Sequence, residues 1–264
     1  MFENHTVLLT GPTEGIGREL AELFALDRAN LILVSRRGDA LKSLKIELSR
    51  KHETTSEIFV RDLSKAGAAA ELAAEISSRG IEVDVLVNNA GFGVYGYFAE
   101  EALAPQLGMI EIHVTAPTVL THAFLPGMLR RRKGGILNVA STGGFQPVPI
   151  ENVYCATKAY LLHFTEALAE EVSGSCVRVT CLCPGPTQTK FFDQPLMKTR
   201  TPAKLPRMTA SDVAKEGYRA FVKGKPFVIT GLLNKVLVTS ERLVPRAVVA
   251  RAAHKIVKKT LPLK

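Results

Sequence analysis

The chain has 264 residues, 46% of them hydrophobic and 22% charged, a balance that excludes a disordered or fibrous protein and allows one substantial core. Its net charge of +9 resembles that of a nucleic-acid binder, yet residues 1–189 hold 17 Lys and Arg against 21 Asp and Glu, and residues 190–264 hold 17 against 4. The positive excess is confined to the last quarter, so no nucleic-acid partner is expected.

The first residues carry no basic stretch followed by an apolar one, and the run Val7, Leu8, Leu9 is too short for an export signal or a membrane span, so a cytoplasmic location is expected. The run reads as a buried first strand. Thr10, Gly11, Thr13, Gly15, Ile16 and Gly17 follow it where a helical pattern over residues 17–26 begins. Such a turn suits a dinucleotide: Gly11 permits the bend, Gly15 lets backbone approach a pyrophosphate, and Gly17 lets helix and strand pack closely. The unpaired N–H groups at the helix start would face the phosphates.

A second strand, residues 31–34, ends in Ser35, Arg36 and Arg37, where NAD-specific folds carry an acidic residue against the ribose 2′-hydroxyl. Ser35 leaves room for a 2′-phosphate and the two-pronged Arg36 guanidinium can hold it, which favours NADP(H). A solvated basic turn is the plainer alternative, and Glu14 would repel that phosphate unless it turned away. A helix over residues 39–50 leads to a strand over 58–60, after which come Asp62 and Leu63. A helix over 66–79 and a strand over 83–87 then lead into Asn88, Asn89, Ala90 and Gly91. This alternation predicts a doubly wound, mostly parallel, Rossmann-type α/β sheet of about seven strands with helices on both faces.

One long helix is expected over residues 103–132; it carries His113 and ends in a solvated cationic run, Arg130 to Lys133, that complements its dipole. A strand over 136–139 leads to Ser141. The next helix, 152–172, carries Tyr154 and Lys158 one turn apart on one face. A tyrosine titrates near ~10 and donates a proton at neutral pH only where its phenolate is stabilised, which the Lys158 charge would do. Ser141 would face the same point and donate to a substrate oxygen. That spacing alone also occurs in solvated pairs.

Cys155, Cys176, Cys181 and Cys183 lack metal-ligand spacing, and the last two alternate in and just after the apolar run of a strand over 177–182, so buried thiols in a reducing compartment, and no metal, are expected. After Pro184 and Gly185, residues 187–225 read as an irregular flap and a helix over 210–222, followed by a strand over 227–229. From Gly231 onward apolar Leu233, Val236, Leu237, Val249, Ala253, Ile256 and Val257 mix with Lys235, Arg242, Arg246, Arg251, Lys255, Lys258 and Lys259. Pro245 suits a helix start, so a basic amphipathic helix should begin there. It can lie in an anionic membrane interface, cover an apolar substrate mouth, or pack on a second subunit. The whole reads as one domain: a core over 5–190, the flap and helix over 187–225, and the basic extension over 231–264.

In combination these motifs resemble the short-chain dehydrogenase/reductase family over residues 5–190, and most nearly its NADP(H)-preferring reductases. The resemblance implies hydride transfer between a nicotinamide and a ketone or secondary alcohol, with relatives acting on lipids or steroids, in a homodimer or homotetramer. It implies that Tyr154 protonates the substrate oxygen, that Ser141 polarises it, and that Lys158 also binds the nicotinamide ribose. Asp62 would contact the adenine, Asn88 to Gly91 line the cofactor trough with Pro184, Gly185 and Thr187, and Thr189 hold the carboxamide. Phe92, Val94, Tyr95, residues 143–148, Phe191 and Phe192 would make a partly apolar, aromatic substrate pocket. The departure is His113, which stands where the family usually has an asparagine that helps pass a proton from Lys158. A histidine can relay protons there, or be merely structural. With the basic tail it leaves a second reading, a noncatalytic NADP(H)-binding or membrane-associated regulatory protein.

Overall fold

The computed structural model describes residues 1–193, 207–241 and 243–258. Its first half runs β1 (Thr6–Thr10), α1 (Gly15–Leu26), β2 (Asn30–Ser35), α2 (Gly38–His52), β3 (Ser56–Val60), α3 (Ala68–Ser78), β4 (Val85–Asn88), α4 (Leu103–Ile110) and α5 (Ala116–Arg131). Its second half runs β5 (Gly135–Val139), α6 (Asn152–Glu171), β6 (Arg178–Cys183), β7 (Thr187–Gln188), β8 (Met208–Thr209), α7 (Ala210–Val222), β9 (Phe227–Ile229), α8 (Leu232–Glu241) and α9 (Arg246–Lys258). Seven of the strands form one parallel sheet in the order β3-β2-β1-β4-β5-β6-β9, the doubly wound Rossmann-type architecture.

The strands are continuous apolar runs because helices cover both faces. Successive side chains point to opposite sides, so Val7 and Leu9 of β1 pack with Leu20, Phe24, Leu41, Val213 and Phe221, on the side of α1, α2 and α7. Leu8 packs the other way, with Leu72, Leu120, Met128 and Leu168 on the side of α3, α5 and α6. Chain order reverses at β1, whose neighbours are β2 and β4, and a crevice therefore opens beyond the carboxyl ends of β1 and β4.

Four local expectations are corrected. The single helix over 103–132 is interrupted at Glu111–Thr115 by a π-turn. Pro117 gives the reason: it has no N–H for the carbonyl of His113, four residues back, and its ring crowds that carbonyl, so the wide turn absorbs the misfit. Arg131 is not simply solvated; with Lys133 it pairs with Asp84, whose side chain is 9% exposed, and it donates to the Val83 carbonyl. Cys176 is exposed, unlike Cys155, Cys181 and Cys183, because it sits in the left-handed loop between α6 and β6, at φ +70°. Finally α8 is a separate helix that the tail's pattern did not announce. Its Leu232, Leu233, Val236 and Leu237 are exposed and only Val238 is buried, while α9 starts just after Pro245 and has no buried residue. Arg242, Lys259 and much of the flap lie outside the described residues.

Candidate active site

A cavity of about 720 Å³ opens at that crevice and runs from the glycine turn to α6 and α9. Gly11, Thr13, Gly15, Ile16 and Gly17 line one end, with Ser35, Arg36, Arg37, Asp62 and Leu63 beside them. The glycines are there for want of space: a Cβ on Gly17 would stand 2.2 Å from the Gly11 carbonyl oxygen, and one on Gly11, at φ +67°, 2.8 Å from the Ala90 Cα. Backbone is therefore bared where a pyrophosphate would lie. Arg37 bridges to Glu14 at 3.1 Å and to the Thr13 hydroxyl at 2.6 Å, which neutralises the acid that would oppose a 2′-phosphate. Arg36 is exposed and makes no ion pair among the described residues. The donor set fits NADP(H).

Asn89, Ala90 and Gly91 also line the cavity, as do Pro184, Gly185, Thr187 and Thr189. Thr10 and Asn88 sit differently from the expectation: they lie beneath the wall and support it. The Thr10 hydroxyl donates to the Val87 carbonyl and accepts from the N–H groups of Asn89 and Ala90 at 3.0 Å. The Asn88 amide donates to Asn138, and that of Asn138 to Thr165, a buried chain tying β4, β5 and α6 together.

At the other end stand Ser141, Tyr154 and Lys158, with His113 behind them. Ser141 follows β5 and begins a single 3-10 turn, where its hydroxyl accepts from the Gly143 N–H at 3.0 Å. Tyr154 and Lys158 share a face of α6, as their spacing predicts, with the Lys158 nitrogen 5.8 Å from the Tyr154 ring centre. Burial pushes the Tyr154 phenol well above its usual value, against the pull of a hydrogen bond with Ser141. Burial also lowers Lys158 to about 8, although the Cys181 and Cys183 thiols oppose it, and its nitrogen donates to the Val139 carbonyl at 2.8 Å. Burial, then Lys158, holds His113 well below the usual histidine range. Asp62 goes the other way: burial raises it, but hydrogen bonds from Ser64 and the charges of Arg36 and Lys65 bring it below normal.

Phe92, Tyr95, Val148 and Phe191 line the wall next to Tyr154, and Ile256 and Val257 of α9 reach the mouth. The Tyr95 hydroxyl makes a long hydrogen bond, 3.5 Å, to the Val257 carbonyl, and Tyr97 meets His254 edge to face. The last helix thus covers part of the opening, one of the three uses its pattern allowed. Val94 is buried outside the lining, and the side chain of Phe192 lies outside the described residues. Glu151, on the same wall, was not among the sequence candidates; an acid one residue before a helix reads as a cap.

A family model described as short chain dehydrogenase matches residues 5–198. The ketoacyl reductase HetN of Nostoc sp. is 31% identical over 220 residues, 83% of this chain and 74% of that one. The very-long-chain 3-oxoacyl-CoA reductase of Laccaria bicolor is 34% identical over 200 residues, 75% of this chain but 58% of its own, so the match spans under two thirds of that relative. Among solved structures, the short-chain dehydrogenase from Sphingobium yanoikuyae in complex with NADPH is similar with a TM-score of 0.79 and 26% identity, covering 92% of this chain and 97% of that one.

Proposed function

Because the chain belongs to the short-chain dehydrogenase/reductase family, we propose that it is an NADP(H)-dependent oxidoreductase that reduces an apolar ketone or oxidises the matching secondary alcohol. One observation carries this reading: Ser141, Tyr154 and Lys158 line the same cavity as the glycine turn and the Arg36 guanidinium. Bound NADPH supplies the hydride, held by residues 11–17, Ser35, Arg36, Asp62, Asn89 to Gly91 and Thr189. Ser141 donates a hydrogen bond to the substrate oxygen and fixes it beside Tyr154. Burial keeps the phenol in its acid form, so Tyr154 has a proton to give that oxygen, and the Lys158 ammonium favours the phenolate that remains. Phe92, Tyr95 and Phe191 give the wall beside Tyr154 an apolar, aromatic surface that favours an apolar substrate, such as a lipid or steroid ketone.

Exposed Leu103, Leu107 and Ile110 of α4 and Leu129 of α5 suit a second copy of the chain, and we take the protein to be a homo-oligomer. Among the described residues no helix is long and apolar enough to cross a membrane. We place the protein in the cytoplasm, with peripheral contact to an anionic bilayer through α8 and α9. The test of the enzyme is loss of NADPH fluorescence with a panel of apolar ketones, NADH serving as control. Tyr154→Phe should cut turnover at least about 10²-fold while NADPH still binds. Nucleotide binding without turnover of any ketone or alcohol would favour the noncatalytic reading.

A further inference from the structure

Glu151 lines the cavity, and neither folding nor the proposed chemistry accounts for its carboxyl. Its backbone belongs to the start of α6: its N–H donates to the Val148 carbonyl and its own carbonyl accepts the Cys155 N–H at 2.9 Å. Its side chain does nothing comparable. It makes no capping hydrogen bond to the helix it precedes, and among the described residues the carboxyl has neither a hydrogen-bond donor nor an ion pair. Three other partly buried acids are held, Glu22 by Lys51 and His52, Asp27 by the N-terminus and Tyr218, Asp84 by Arg131 and Lys133, while Glu241 of α8, which lies outside the cavity lining, keeps one oxygen without a partner. The Glu151 carboxyl lines the cavity half-buried and without a protein partner, so its acceptor oxygens are free for a ligand that enters there.

We propose that the Glu151 carboxyl is a specificity contact for the substrate: it takes a hydrogen-bond donor, a hydroxyl or an ammonium, carried by the substrate away from its reacting carbonyl. Glu151 and Tyr154 are three residues apart and both line the cavity, so one molecule can touch both. Around them Val148, Phe191 and Tyr95 offer mostly apolar surface beside the neutral Gln146 amide, so the carboxyl is the acidic acceptor of this wall and can distinguish a hydroxylated ketone from a plain one. The inference deepens the reading of this cavity as a ketone site and rests on it.

Burial alone lifts the Glu151 acid to about 7, with no cation to offset it. The titratable groups it meets are Tyr154 and Cys155 on the first turn of α6, both pushed up by burial and by its charge, and hence neutral. Below pH 7 the acid is therefore uncharged and above it a carboxylate, a stronger acceptor that attracts an ammonium and repels an anion. Substrates with a hydroxyl or amine at this end are favoured, and keto acids with their carboxylate there are disfavoured.

The test uses two ketones of one skeleton, with and without a hydroxyl, and an amino-ketone of the same size, on the full chain with NADPH. Glu151→Gln should raise KM about tenfold for the hydroxylated ketone and leave kcat within about twofold, while the plain ketone is unaffected. Glu151→Leu should leave the plain ketone bound as well or better. In the parent protein KM for the amino-ketone should fall as pH rises through about 7, and in Glu151→Gln it should not. Calorimetric binding of the three compounds to the NADP⁺-loaded protein gives the same ranking without turnover, and thermal melting checks that both variants fold. Equal effects on both ketones, a loss confined to kcat, or no effect would overturn the proposal. If the parent turns over no ketone the enzymatic reading fails, and calorimetry alone then decides whether Glu151 selects a donor.

Discussion

At the scale of single residues, hydrogen-bond bookkeeping fixes a state that no spacing could have given. The Thr157 hydroxyl has one proton and donates it to the Tyr154 carbonyl at 2.7 Å, so at 3.0 Å from the same oxygen the His113 Nδ1 must be the donor. The neutral ring then carries its lone pair on Nε2, which is buried without a partner against Gly91, where a Cβ would stand 2.4 Å away. Held neutral, His113 cannot set a charge-dependent limb in the pH profile. Tyr154 cannot either, since burial keeps it protonated. Lys158 can: it loses its proton as pH rises through about 8, and with it the charge that favours proton transfer from Tyr154. The kcat/KM for ketone reduction should therefore fall on the alkaline side with a midpoint near 8, and the residual activity of Lys158→Arg should lack that fall. A midpoint unchanged in the arginine variant would assign the limb elsewhere. The Ser141, Tyr154 and Lys158 positions were legible because each is tied to an element boundary or a helical repeat. Glu151 was not, because its meaning lies in bonds it fails to make.

At the scale of elements, the seven strands and the helices over 210–222 and 152–171 were readable because buried parallel strands are unbroken apolar runs between amphipathic segments. The π-turn was not, since a proline four residues past a carbonyl can end, kink or widen a helix, and packing chooses among these. The glycine turn is the element where sequence and space agree most closely. A methyl on Gly17 would meet the Gly11 oxygen at 2.2 Å and the Asn89 amide nitrogen at 2.3 Å, and that amide holds the turn by donating to the carbonyls of Thr10 and Gly11. Gly17→Ala must therefore push α1 away from β1 or break the Asn89 bonds. The expected cost is roughly 1–3 kcal/mol in chemical denaturation. NADPH affinity should fall at least about tenfold, because the bared N–H groups move. Normal affinity in the variant would mean that the phosphates lie elsewhere.

At the scale of the whole molecule, the charge division seen in the sequence becomes a division of surface. Residues 231–258 carry exposed Lys235, Arg246, Arg251, Lys255 and Lys258 against the single acid Glu241. In the same stretch Leu232 is 77% exposed, Leu243 88% and Ile256 55%, far more apolar exposure than soluble helices usually keep. Tyr97 and Phe98, also exposed, adjoin through the contact of Tyr97 with His254. Cations around exposed leucines match an anionic bilayer, whose surface attracts each basic residue by about 1 kcal/mol and whose interface accepts the apolar groups. Because Ile256 belongs both to this face and to the cavity mouth, docking would let an apolar ketone pass from lipid to the site without crossing water. The protein should sediment with phosphatidylglycerol vesicles at low salt, stay in solution with phosphatidylcholine, and be released as ionic strength rises. Arg251→Glu with Lys255→Glu should weaken vesicle binding at least about tenfold and leave turnover of a water-soluble ketone unchanged. A protein that remains in the supernatant with anionic vesicles at low salt, or one whose α8 and α9 face is covered by a second copy in solution, would show that these helices serve assembly or closure alone.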